Sequence, residues 1–137
     1  MSPVQAVAEL GAGAYLVLVA LLIGSFINLA ADRVPRRESV IRPRSHCRSC
    51  GRVLNAVDLA PVVGYLARAG RCATCGVSIG VASPLIEALC GGAMLVALGF
   101  LGLWPGALVG LFAIAAVGAA AVTRGRLALA TRGSQQG

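Results

Sequence analysis

Apolar and polar positions along the chain fall into long blocks rather than alternating. Residues 10–31 are 22 consecutive uncharged positions, and residues 88–123 form a second uncharged run of 36. At about 1.5 Å per residue, the first run crosses a hydrocarbon core of about 30 Å as a single helix. The second is too long for one span and is interrupted at Trp104, Pro105 and Gly106, so it predicts a helical hairpin. Its helices are expected over 85–103 and 106–123, with Trp104 at the depth where interfacial aromatics settle. The pattern thus predicts an all-α membrane protein of three transmembrane helices with a polar loop between helices one and two. Its segments are residues 1–31 (N-terminal segment and first helix), 32–84 (loop), 85–123 (hairpin) and 124–137 (a basic, frayed tail).

Composition agrees: 58% of residues are hydrophobic and 12% charged, too apolar for a soluble domain of 137 residues. A cleaved signal peptide would need a basic start, and residues 1–9 carry only Glu9, so the first helix is expected to remain. All twelve basic residues are Arg. Nine lie in the loop against Asp32, Glu38 and Asp58, and Arg124, Arg126 and Arg132 lie in the tail. The N-terminal segment and the Trp-Pro-Gly turn carry none. The positive-inside rule therefore puts the loop and the C-terminus in the cytosol and the N-terminus outside, which three spans allow at once.

The loop carries two Cys-x-x-Cys knuckles, Cys47/Cys50 and Cys72/Cys75, separated by 21 residues and each followed by glycine, Gly51 and Gly76. A knuckle must turn sharply to aim both sulfurs at one ion, and glycine permits the positive φ this requires. The spacing predicts a four-cysteine zinc site. Two disulfides, or a redox Cys-x-x-Cys, are the competing reading, and the cytosolic placement weighs against it. Four thiolates on a divalent ion carry −2, which Arg48, Arg52 and Arg71 are placed to offset. His46 is a weaker alternative ligand. The remaining basicity suits anionic lipid headgroups. Nucleic acid is not expected, because a membrane tether and the lack of interleaved aromatics argue against it.

Other positions carry local expectations. Gly24, Asn28 and Asp32 share a helical face, read on spacing alone as an ordinary helix end whose polar groups reach water, with packing against a neighbouring helix as the alternative. Pro35 ends the first helix. Asp58 is either the N-cap of a short helix before Leu59 and Ala60 or a functional group of the loop, and Ser83 is expected to N-cap helix two with Pro84 in its first turn. Glu87 is either an acid favourably placed near that N-terminus or a functional group facing the zinc loop. Cys90 is expected to pack inertly. Ala88 with Gly92, and Gly106 with Gly110, are small-xxx-small pairs suited to close helix contact.

Taken together, Gly24-Ser25-Phe26-Ile27-Asn28, Arg33 and Pro35, the two knuckles, Asp58 and Pro61, Gly70-Arg71-Cys72 and Pro84-Leu85-Ile86-Glu87 resemble the N-terminal domain of type IV prepilin peptidases. The resemblance covers about residues 15 to 100. It implies a bacterial inner-membrane protein tied to type IV pilus assembly and protein secretion. Family members cleave prepilin leaders on the cytosolic side and methylate the new N-terminal amine from S-adenosylmethionine. It also implies zinc at Cys47, Cys50, Cys72 and Cys75, and makes Asn28, Arg33, Asp58, Arg71 and Glu87 the other candidate functional residues.

The family's proteolytic aspartates, one in a Gly-x-Gly-Asp motif, have no counterpart here, where the only aspartates are Asp32 and Asp58. Those two are not expected to share a proton as aspartyl chemistry requires. The family's usual Asp-Asn pair is Asp58-Leu59, and its Arg-Tyr is Ala82-Ser83. No motif supports S-adenosylmethionine, since Gly11-Ala12-Gly13 lacks a preceding strand and a third glycine. No catalytic or cofactor-binding residue is assigned. The expectation is a module acting on a prepilin-like substrate with a separate aspartic peptidase subunit. The alternatives are an autonomous methyltransferase and a non-enzymatic zinc-binding assembly protein.

Overall fold

A computed structural model describes residues 2–133. Helix α1 runs Pro3–Arg33, beginning in a capping box in which Ser2 and Gln5 each satisfy the other's backbone N–H. Pro35, in the 3-10 turn Val34–Arg36, ends it, and Arg37 follows at φ 58°. The loop contains two short helices, α2 (Ala56–Leu59) and α3 (Val63–Ala67). Two long helices complete the chain, α4 (Ala82–Leu101) and α5 (Leu103–Gly133).

The protein is all-helical, with no strand among the described residues, and α1, α4 and α5 are each long and apolar enough to cross a membrane. The three pack on one another around Ala20, Cys90, Met94 and Ile114, with Leu16, Ile27, Ile86 and Val117 closing over them. Cys90 is fully buried there, as its position inside a helix suggests. Leu18, Leu22 and Phe26 on α1, Leu95 and Phe100 on α4 and Phe112 on α5 point outward. An apolar exterior of this kind suits lipid, where close packing of small residues holds helices together. At Gly24 α1 and α4 approach closely: a Cβ there would meet the Glu87 Cα at 2.8 Å and the Cys90 Cβ at 3.2 Å.

Several sequence expectations change. The hairpin turns at Gly102 (φ 79°), and Trp104, Pro105 and Gly106 lie in the first turn of α5. Proline is tolerated there because the first N–H groups of a helix have no intrahelical acceptor. Helix α5 continues to Gly133 instead of fraying after residue 123, and Gly125 packs against Ala31 and Pro35 at the end of α1. Residues 134–137 lie outside the described residues. Gly106 and Gly110 do make close contact, with Ala97 and Met94 of α4. Ala88 and Gly92 do not: Ala88 is exposed and nothing approaches Gly92, whereas Gly91, one residue away, packs on Leu21.

Candidate metal centre

The two knuckles are copies of one local design, each residue of the first having a counterpart 25 positions later. Cys47 N–H donates to the Arg52 carbonyl at 2.8 Å and Gly51 N–H to the Cys47 carbonyl at 2.9 Å. In the second, Cys72 N–H donates to Val77 at 2.9 Å and Gly76 N–H to Cys72 at 3.0 Å. An isolated bridge flanks each, His46 with Val53 and Arg71 with Ser78. Gly51 and Gly76 stand at φ 72° and 68°, the left-handed geometry that glycine adopts without a Cβ clash.

Facing each other, the knuckles bring four sulfurs within 4.8 Å. Cys47 Sγ lies 3.8 Å from Cys75 Sγ, and Cys50 Sγ 3.9 Å from Cys72 Sγ. A tetrahedral ion with bonds of about 2.3 Å to thiolates holds its sulfurs about 3.8 Å apart, so the spacing fits. No pair is joined as a disulfide. The sulfurs also differ in acidity. Backbone N–H groups of Cys75 and Thr74 pull the Cys72 thiol down to about 6, and those of Cys50 and Ser49 lower Cys47. The Arg52 N–H favours the Cys50 thiolate, but burial and the three neighbouring sulfurs outweigh it and push Cys50 up to about 11. Amides therefore favour thiolate charge while crowding opposes several charges at once, and a bound cation relieves that conflict.

Arg52, which follows the first knuckle's glycine, pairs with the Asp58 carboxylate at 2.7 Å; that carboxylate first, and the Cys72 thiol after it, favour its charged form. Arg48 turns away to Asp32, and Arg71 makes only a 3.5 Å contact to the Gly76 carbonyl. His46 faces the Arg44 carbonyl through Nδ1 at 2.9 Å, outside the sulfur cluster.

Asp58 is a junction. Its carboxylate accepts from Arg52 and from Arg68 at 2.8 Å, and from the Asn55 N–H at 3.1 Å. The Asn55 amide, with both guanidiniums, holds the Asp58 carboxyl below its ordinary value. Asn55, not Asp58, is the N-cap of α2; Asp58 occupies the third helical position of a capping box. The Asn-x-x-Asp pattern was legible, since a cap and a side chain three residues later can satisfy one another. Arg68, ten residues from Asp58, gave no sequence signal.

The other candidates line the junction between loop and bundle. Arg33 is buried and donates through one nitrogen to the Ser39 and Pro43 carbonyls, at 2.8 and 3.0 Å. Glu87, only 5% exposed, accepts from the Val62 N–H at 2.6 Å and the Ser83 hydroxyl at 3.1 Å. Ser83 is therefore not the N-cap of α4, a place held by Val81 with no side-chain cap. Asn28 borders a cleft of about 420 Å³ whose walls include Asp32, Tyr65, Arg68 and Glu87.

Residues 18–100 match the Bacterial Peptidase A24 N-terminal domain, more than half of the chain. The chain belongs to this family. Both knuckles, Asn28, Arg33, Asp58, Arg71 and Glu87 lie within the matched interval of the A24 N-terminal domain. Among curated proteins it is 44% identical over 77 residues to a prepilin leader peptidase/N-methyltransferase of Myxococcus xanthus, covering 56% of this chain and 23% of that protein. Proteins of the same name from Bacillus subtilis and Burkholderia pseudomallei are 38% and 34% identical, over 53% and 62% of this chain and 29% and 37% of theirs. The chain thus spans roughly a quarter to just over a third of the curated relatives it matches. No solved structure matches.

Proposed function

We propose that this chain is a zinc-stapled membrane module that takes part in leader processing and N-methylation of prepilin-like substrates. The four-sulfur cluster inside the A24 N-terminal domain carries this reading, because its spacing suits one tetrahedral zinc ion held by Cys47, Cys50, Cys72 and Cys75. The zinc is structural: four protein ligands leave no open position for water or substrate, and the ion ties two otherwise separate turns into one unit. The arginine distribution supports a loop and C-terminus in the cytosol, with the N-terminus on the outer side of a bacterial plasma membrane. Lipid surrounds α1, α4 and α5.

Peptidase chemistry requires carboxylates other than those present here. Asp32 is paired with Arg36 and Arg48, and Asp58 with Arg52 and Arg68. With each carboxylate engaged by two guanidiniums of its own, the two aspartates do not form the proton-sharing pair that aspartyl chemistry requires. The aspartic centre therefore lies outside residues 1–137, and an aspartic prepilin peptidase subunit is the partner this reading names. The same pairing favours a second reading, a non-enzymatic assembly protein.

Co-expression separates the two. Membranes with this chain and a peptidase-type partner are expected to cleave a prepilin-like leader and to transfer a labelled methyl group to the exposed amine. Either protein alone is expected to complete neither sequence. Full processing by the partner without this chain would overturn the proposal and leave the assembly role.

A further inference from the structure

Val62 stands at φ 57° and ψ −48°, between Pro61 and the first residue of α3. This approximates a γ-turn, and the Val63 N–H closes it by donating to the Pro61 carbonyl at 2.5 Å. A β-branched residue at positive φ is a true outlier, because its Cβ crowds the backbone. Such a conformation persists only when surrounding structure over-determines it. Local sequence supplies no such support: Pro61 and Val63 have no polar side chain, and α3 has no side-chain cap.

The support comes from a membrane helix. Glu87 Oε2 accepts the Val62 N–H at 2.6 Å, and the Ser83 hydroxyl holds Oε1 at 3.1 Å. At the base of the same residue, Gly24 brings α1 against the Glu87 Cα so closely that a Cβ would meet it at 2.8 Å. The carboxylate is therefore held at both oxygens while its backbone is packed against α1. Asp58, the nearest other acid in this segment, is engaged by Arg52, Arg68 and the Asn55 N–H.

We propose that Glu87 is a positioning residue whose carboxylate latches the α2–α3 segment to the membrane bundle by holding Val62 in its left-handed turn. Leu59, Ala60, Gly64 and Tyr65 of that segment line the cleft of about 420 Å³ together with Asn28 and Asp32 of α1. The latch sets where that segment stands in the cleft. Because α1 and α4 touch at Gly24, movement of α4 against α1 displaces the carboxylate and the segment together. The knuckles keep their own hydrogen-bond frame. The role depends on neither metal identity nor enzymatic activity.

Hydrogen exchange on the full chain in lipid nanodiscs, with metal content measured in parallel, tests the latch. Glu87→Ala is expected to speed exchange of the Gly64 and Leu66 amides roughly tenfold without metal loss. Adding Val62→Gly should restore most of the protection, because glycine holds positive φ without the carboxylate. Exchange unchanged in Glu87→Ala, or failure of Val62→Gly to rescue, overturns the proposal. Should Glu87→Ala not insert, Glu87→Gln keeps the shape with a neutral acceptor, and acceleration of roughly threefold is expected. Wild-type exchange in that variant overturns it equally.

Discussion

Arg52 and Asp58 form an ion pair at 2.7 Å, which ties the residue directly after the first knuckle's Gly51 to helix α2. With a side chain only 7% exposed, Asp58 has exchanged water for two guanidiniums and a backbone amide. Removing its charge leaves donors that were arranged around it.

Asp58→Asn is expected to destabilise the loop by about 1.5–3 kcal/mol, the range for a hydrogen bond to a charged group. Since its carboxyl is held below the ordinary value in the folded state, this contribution is present above the unfolded value of about 4 and is lost as pH falls through the folded one. Loop protection measured against pH should therefore fall in the acid range for wild type, with a smaller fall in Asp58→Asn.

Gly24→Ala places a Cβ 2.8 Å from a backbone atom of α4, and neither helix can yield by rotating a flexible side chain. Overpacking of this kind is expected to cost about 1–3 kcal/mol. Thermal unfolding in detergent should show a lower midpoint for Gly24→Ala. Gly92→Ala, with nothing within 4 Å of the new atom, should match or slightly exceed wild type.

Metal content gives a separate check. Purified protein is expected to hold one zinc per chain, and Cys50→Ser or Cys72→Ser should abolish it. Cys90→Ala should retain it, since Cys90 is buried in the helical core. Four titratable knuckle thiols with no metal would remove the structural assignment.

Gly51→Ala and Gly76→Ala test the knuckle backbone. Nothing lies within 4 Å of either Cβ position, so any effect comes from positive φ, on the order of 1–2 kcal/mol per site. Competition with a chelator should show weaker metal retention in each variant, and a larger loss in the double variant.

Uncharged runs and the twin Cys-x-x-Cys-Gly strings are local or compositional, and they suffice for three membrane-length helices and four clustered cysteines. A span needs only enough apolar length, and a knuckle only two cysteines and a glycine. Helix ends were less legible, because proline is acceptable both at a break and in a first turn; only the packing of α4 on α5 placed the reversal at Gly102. The pairings of Asp58 with Arg68 and of Glu87 with Val62 join residues 10 and 25 apart, with no periodicity to announce them. Tertiary structure decided both: the fold of the loop brings Arg68 to Asp58, and the close approach of α1 and α4 at Gly24 accompanies a buried Glu87 carboxylate that meets the Val62 N–H.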